Sequence, residues 1–447
     1  MLPPVLPQLL PPLLLPRALI DPQLNNLPPA DEGGLVAVRL SHQHGVITAI
    51  EAHPRRDGEL LPLALTPLVE PHAHLDKAFS WEGHPNPAGT MQGALAANLA
   101  EHQGRSLEQV LERGERALER AWRYGLRAVR SHIDSLGPGA EPGWQGLLEL
   151  QQRWAPRLSL QLVALVPVRH WATAAGAALA RQLVSRGSQG AVLLGGVLGA
   201  PMAPSRADAE GLLALLQLAD GLGAPVDLHV DESGEGGGAG VAMVARLVRR
   251  HRIGVPVTCS HSCSMSQLGA ARLSRLADAM ADASLAVVAL PPTNLWLLGH
   301  AAGDTPASRP LAPIRQLQRA GVTVAVGGDN VQDPWHPGGD FDPLELLRFC
   351  LPAAHLAPWQ RQGLAPFTTA ASRLMGLEWD GVLRCGAPAD LVVLAAGSWS
   401  ELLCRPPHRR VLRAGQWLPE PAPARPELAA QLEAMAAGHG SGLVQRG

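Results

Sequence analysis

The chain alternates short apolar runs with longer amphipathic stretches. Eight of the runs read as strands: Leu65–Pro71, Leu126–Ile133, Leu158–Val166, Ala191–Leu198, Pro225–Val230, Val255–Ser260, Leu285–Leu290 and Val322–Val326. They are rich in Val and Leu and nearly continuous in apolar character, the pattern of parallel strands buried on both faces. Helical periodicity lies between many of them. The clearest case is Ser106–Tyr124, where Val110, Leu111, Gly114, Ala117, Leu118, Ala121 and Trp122 recur at helical spacing. Ser106 and Gln109 have the spacing of a capping box, and Gly125 suits the left-handed position just past a helix end. Alternating strands and helices predict a parallel sheet. Eight such units over roughly 260–300 residues fit a (β/α)₈ TIM barrel. A doubly wound open sheet is the competing architecture. It is weakened because no Gly-x-Gly-x-x-Gly or P-loop sequence opens a helix here.

The two ends have a different rhythm. Gly34–Leu40 and Val46–Ile50 read as strands near the start, the second after the turn-like Gln43-His44-Gly45. Asp390–Leu394 and Arg410–Arg413 read as strands near the finish, with Gly381 and Gly386 before the first and Gly415 after the second. Residues 1–14 read as an irregular, proline-rich arm.

Composition narrows the function classes. The chain has 447 residues, enough for one large domain or two to three ordinary ones, and 46% apolar residues, enough for a sizeable core. Lys+Arg total 37 against 39 Asp+Glu, a net charge of −2. Without a basic block or an RNA-reading aromatic motif, a nucleic-acid partner has no support. Lys77 is the only lysine. The five cysteines are scattered and form no Cys-x-x-Cys pair, so a reducing cytoplasm is expected rather than a disulfide framework. The apolar N-terminal stretch lacks a positive region before it and is studded with prolines, which argues against a signal peptide or membrane anchor.

The sharpest candidate chemistry is Val69-Glu70-Pro71-His72-Ala73-His74-Leu75-Asp76-Lys77, at the end of the first predicted barrel strand. Side chains alternate along a strand, so His72 and His74 share a side. Alone, a His-x-His among 17 histidines is a weak signal. Other strand ends add to it. The fifth strand ends in His229-Val-Asp231-Glu232, the sixth in Ser260-His261, and the eighth in Gly328-Asp329-Asn330. Barrel enzymes place their reacting groups at these C-terminal ends.

As an ordered set, these motifs resemble the cytosine deaminase-like branch of the metal-dependent amidohydrolases. The matching stretches also include Val129-Arg-Ser-His-Ile-Asp134, Pro291-Pro-Thr-Asn294, Gly328-Asp329-Asn330-Val331-Gln-Asp333-Pro334-Trp335 and Gly381–Leu394. The resemblance spans roughly residues 15–420. It implies a barrel over 67–375 and a small β-sandwich built from 15–66 and 376–420, with a tail over 421–447. It also implies that His72, His74, His229 and Asp329 ligate one divalent ion, Zn²⁺ or Fe²⁺. Neutral imidazoles and a carboxylate suit such an ion and leave room for water, whose pKa falls towards about 7. By the same resemblance Asp329 accepts the water proton, Glu232 shuttles it to a ring nitrogen and then to the leaving amine, and His261 steadies the attacking oxygen. Two-metal relatives carry a bridging lysine on strand four. None stands in Ala191–Leu198, which favours a single ion.

Departures from the family bear on substrate. Cytosine deaminases proper carry a glutamine after strand three, where Val168 stands here, and a second aspartate where Asn330 stands. Valine can neither donate nor accept a hydrogen bond. Cytosine is therefore expected to be a poor substrate. Arg169 or His170 either reads a different ring or lies in an exposed loop. Trp335 is a candidate pocket wall and Asn294 a candidate substrate contact. Bland readings fit other positions: His132 and Asp134 as supports, Asp76 as an organiser of its loop, and Cys259 and Cys263 as small buried fillers.

The expected function is a cytoplasmic aminohydrolase that removes an exocyclic amino group from a small heterocycle of pyrimidine, purine, pterin or triazine type. Membrane and nucleic-acid partners are not expected, and the resemblance admits a homo-oligomer. A ring-opening cyclic amidohydrolase of dihydroorotase or imidazolone-hydrolase type is the alternative. A catalytically silent binding barrel stands further off.

Overall fold

A computed structural model describes residues 7–187, 190–199, 204–300, 303–419, 428 and 430–431. Eight parallel strands form the barrel sheet: Leu68–Ala73, Leu126–Asp134, Ser159–Leu165, Val192–Leu198, Val226–Val230, Val257–His261, Ala286–Ala289 and Thr323–Val326. Each pairs with its sequence neighbour. The seam between last and first closes where Asp329 bridges to Ala73 and the Asp329 N–H donates to the His72 carbonyl at 3.0 Å. The barrel expected from the apolar runs is therefore present.

The first run differs in one respect. Leu65–Pro71 straddles two elements, because Leu63–Leu65 pairs in another sheet and the barrel strand begins at Leu68. Pro67 explains the break: it lacks the N–H that continued pairing needs.

The strands from both chain ends form a second sheet. Its order is Gln8–Leu9, Leu35–Gln43, Leu13–Pro16, Leu63–Leu65, Leu391–Leu394, Arg409–Arg413 and Gln416–Trp417, with Val46–Ala52 paired to Leu35–Gln43. It is one mixed sheet enclosing its own cluster of Leu13, Leu15, Val36, Val38, Leu40, Ile47, Ile50 and Leu391, among others. Of the expected irregular arm over 1–14, residues 1–6 lie outside the described residues, and the remainder is corrected here. Leu13–Pro16 is a buried strand, and Gln8–Leu9 pairs at the sheet edge. The prolines bracket the strand: Pro12 precedes it and Pro16 ends it, so the N–H groups of Leu13, Leu14 and Leu15 stay available. The expected tail over 421–447 lies outside the described residues, apart from positions 428, 430 and 431.

The helix predicted over Ser106–Tyr124 spans Leu107–Tyr124, with the Ser106/Gln109 capping box in place. Gly125 ends it at φ 101°, and a Cβ there would lie 2.4 Å from Val392 Cγ2 of the terminal sheet. Only glycine satisfies both demands. Among the described residues, no helix is long and apolar enough to cross a membrane.

Candidate metal centre and active site

The strand ends bring four donors to one place. His72 lies in the first barrel strand, His74 just past it, His229 in the fifth strand, and Asp329 three residues past the eighth. All are at most 5% exposed. Ligand atoms of His72, His74 and His229 lie within 4.8 Å of one another. Asp329 Oδ1 sits 3.2 Å from His74 Nε2 and 3.5 Å from His72 Nε2. Asp231, His261 and Asp329 adopt left-handed backbone at φ 55°, 69° and 65°. For non-glycine residues such conformations cost on the order of 1–3 kcal/mol each and gather at functional sites.

The donor set fits a divalent cation. Burial, then neighbouring imidazoles, holds His72 and His229 well below the usual histidine range, so both rings are neutral and free to act as metal ligands. Burial opposes ionisation of Asp329, but the His74 and His261 rings beside it leave its pKa below the usual value. Among the described residues, His72 Nε2 and both carboxylate oxygens of Asp329 are buried without a hydrogen-bond partner. Such groups are costly unless a ligand completes them.

A hydrogen-bond chain aims His72. Its Nδ1 lies 2.9 Å from Ser260 Oγ, whose hydroxyl donates to Asp227 Oδ1 at 2.7 Å. Arg130 Nη1 donates to Asp227 Oδ2 at 2.6 Å. Because the hydroxyl proton goes to Asp227, Ser260 accepts from His72 Nδ1–H, which leaves the Nε2 lone pair facing the cluster. Sequence reading missed Asp227, Ser260 and Arg130 as supports. Strand alternation was the available signal, since Asp227 precedes His229 by two positions and Arg130 precedes His132 by two. His132 stacks on His72 with centroids 3.8 Å apart. His72, His132 and Asp227 form a second potential ligand group, but Arg130 and Ser260 already occupy the Asp227 carboxylate.

Two proton-bearing groups face each other beside this cluster. Glu232 Oε2 lies 3.6 Å from His261 Nε2. Burial and the Asp329 carboxylate raise the Glu232 carboxyl well above its usual range, against the opposing pull of Lys77. Glu232 therefore holds its proton more tightly than an ordinary glutamic acid does. Burial lowers His261 to about 4, so that ring is neutral.

The four expected substrate contacts fare differently. Trp335 is half-buried, and among the described residues its indole N–H has no hydrogen-bond partner. Asn330 donates Nδ2 to Asp333 Oδ2 at 2.7 Å. Val168 is 1% exposed and packs in the main core cluster. Asn294 has other partners than a substrate: Nδ2 lies 2.9 Å from His261 Nδ1, and Oδ1 accepts from Cys263 Sγ. Arg169 turns outward to pair with Asp208 at 2.6 Å, which removes it as a ring reader. The lone lysine, Lys77, is buried 2.7 Å from Asp134 Oδ2, and Arg105 links Asp76, Glu101 and Asp134 behind it.

The chain is similar to several known proteins. A pterin deaminase of Rhizobium rhizogenes is 33% identical over 375 residues, 83% of each chain. N-isopropylammelide isopropyl amidohydrolase of Pseudomonas sp. is 22% identical over 334 residues, 73% of this chain and 78% of that protein. The structure of 5-methylcytosine deaminase from Klebsiella pneumoniae, liganded with 5-fluorocytosine, superposes with a TM-score of 0.76 at 25% identity, covering 87% of this chain and 95% of that one. The amidohydrolase family profile matches residues 88–417, a stretch that contains His229, Glu232, His261 and Asp329. With those residues gathered at the barrel mouth, the chain belongs to the amidohydrolase family.

Proposed function

We propose that this protein is a metal-dependent aminohydrolase that releases ammonia from an amino-substituted nitrogen heterocycle, with a pterin as the favoured ring. The observation that carries the reading is Glu232, its carboxyl pKa raised by burial, facing His261 at 3.6 Å beside the His72, His74, His229 and Asp329 cluster. The pterin preference rests on the 33% identical relative, whose name states that activity.

In this reading one zinc or ferrous ion is held by His72, His74, His229 and Asp329. When bound, it supplies Lewis-acid polarisation and a water acidified towards about pKa 7. Asp329 takes the proton that the water loses on attack. Glu232 gives its proton to the ring nitrogen beside the reacting carbon, then passes the remaining proton of the added water to the leaving amine, and the proton held by Asp329 restores Glu232. Water and the C–NH₂ group thus become C=O and ammonia. Positioned acid–base transfer of this kind contributes roughly 10²–10⁴-fold. His261 presents Nε2 to the oxygen that gains charge, and Trp335 supplies a flat wall and an N–H donor. Val168 and Asn330 stand where cytosine deaminases place glutamine and aspartate, so cytosine is turned over poorly.

The test is an ammonia-release assay on the purified, metal-loaded chain against pterins, cytosine, purines and aminotriazines, with His72→Ala as control. Ammonia from a pterin, lost in the control, is the expected result. Opening of a cyclic amide ring without ammonia release would overturn the reading.

A further inference from the structure

Asn294 and Cys263 are both fully buried, and they meet His261 in one line. Asn294 sits in the short helix Pro291–Leu297, held in place by two leading prolines. Cys263 follows two left-handed residues, His261 at φ 69° and Ser262 at φ 55°. The result is a three-member relay. Cys263 Sγ donates to Asn294 Oδ1 at 2.9 Å, and Asn294 Nδ2 stands 2.9 Å from His261 Nδ1.

We propose that Cys263 is a positioning residue: its thiol fixes the Asn294 amide, and the amide fixes His261 as the tautomer with its proton on Nε2. A thiol hydrogen goes to the oxygen end of an amide, not to its nitrogen end. With the oxygen so engaged, the planar amide turns its N–H₂ towards the ring. A neutral imidazole that accepts at Nδ1 carries its proton at Nε2. Among the described residues that Nε2 is buried without a hydrogen-bond partner, 3.6 Å from Glu232 Oε2. It is thus a donor aimed at the reacting centre. The opposite tautomer would present a lone pair to an oxygen gaining negative charge and would repel it.

The kinetic consequence rests on the aminohydrolase reading; the tautomer does not. The variants Cys263→Ser, Cys263→Ala and Asn294→Ala separate a relay from a packing role. Serine keeps a donor for Asn294 Oδ1, whereas alanine frees the amide to flip. For the relay we expect Cys263→Ser to hold kcat within about twofold, Cys263→Ala to lose about tenfold, and Asn294→Ala to lose about 10²-fold, all with KM little changed. A filler predicts the reverse order, since a buried hydroxyl is costlier there than a small apolar gap. Equal kcat values for Ser and Ala, or a poorer Ser variant, would overturn the proposal.

Nitrogen-15 spectra of histidine-labelled protein, with His261 assigned by its loss in His261→Gln, give a second readout. Wild type and Cys263→Ser should show the proton on Nε2, and Cys263→Ala a mixture. A wild-type proton on Nδ1 would also overturn the proposal. If no heterocycle releases ammonia, the functional reading fails while these spectra still decide the relay.

Discussion

The Glu70 carboxyl group accepts the backbone N–H of Gly328 at 2.9 Å, across the seam where the first and last barrel strands meet. Its other oxygen takes the His72 N–H at 3.1 Å. One side chain therefore joins the backbone of two segments that carry the proposed ligands His72 and Asp329. Gly327 makes room for it, since a Cβ there would stand 2.6 Å from Glu70 Oε1.

Replacing this clamp should loosen metal binding before it harms the fold. Glu70→Ala is expected to lower metal affinity about 10–100-fold, the usual effect of losing a support behind a ligand. Glu70→Gln keeps one acceptor and should lose less. Chelator competition on the purified variants checks both values. Unchanged affinity in Glu70→Ala would show that strand pairing alone holds the two ligands.

Metal removal should act on stability as well as turnover. The unpartnered His72 Nε2 and Asp329 oxygens are left without compensation in the apo protein. Dialysis against a strong chelator should abolish ammonia release and lower the unfolding temperature, and one equivalent of zinc or ferrous ion should restore both. At a free metal concentration of 100 times Kd, linkage gives about 2.7 kcal/mol of stabilisation. Metal analysis giving two tightly bound ions per chain would sink the single-ion reading.

Much of the barrel was legible because buried parallel strands must be apolar on both faces, and runs such as Leu285–Leu290 obey that rule. The N-terminal sheet strand was less legible. Leu13–Pro16 sits between prolines that suggest disorder, and only the register with Leu35–Val38 shows that they mark its ends. At the site, His72, His74, His229 and Asp329 announced themselves as metal-binding residue types at strand ends. The supports did not. Asp227, Ser260 and Glu70 act through hydrogen bonds between segments far apart in the chain, and a linear pattern does not encode those pairings. Cys263 was hidden for the opposite reason, because a buried cysteine is most often inert filling.

Glu232 sets a pH prediction whose sign follows from its raised pKa. In the proposed mechanism its proton is required, and that proton is lost as pH rises through the folded-state value, so kcat/KM should fall on the alkaline side. Stability runs the same way. The folded form binds the proton more tightly than the unfolded chain, so this favourable linkage is full below the ordinary glutamate value and fades as pH rises through the raised one. Glu232→Gln should therefore be inactive yet more stable than wild type at alkaline pH. Thermal unfolding across a pH series checks this, and a less stable variant at high pH would contradict it.

The buried ion cluster behind the mouth should be intolerant of single losses. Arg105 donates to Asp76 and Glu101 at 2.6 Å and lies 3.4 Å from Asp134. Arg105→Met strands the buried carboxylates of Asp76 and Glu101 and is expected to cost about 3–5 kcal/mol. Exposed Arg206, paired with Glu210, makes the control: Arg206→Met should cost no more than about 1 kcal/mol. Denaturant unfolding of both variants provides the comparison.

Conversion towards cytosine tests the pocket argument and exposes a cost that the sequence hid. Asn330→Asp would set a carboxylate where Asn330 Nδ2 now donates to Asp333 Oδ2 at 2.7 Å. Burial already raises Asp333 to about 6, and a second carboxylate beside it would force the two to share a proton. Pairing Asn330→Asp with Asp333→Asn restores the hydrogen bond with its polarity reversed. Val168→Gln then adds the missing amide, at a packing cost of about 1–3 kcal/mol because Val168 is enclosed in the core. The triple variant should turn over cytosine faster than wild type, and faster than the Val168→Gln/Asn330→Asp pair, in steady-state kcat/KM. If the pair alone matches the triple, Asp333 has no part in holding the substrate-facing side of that loop.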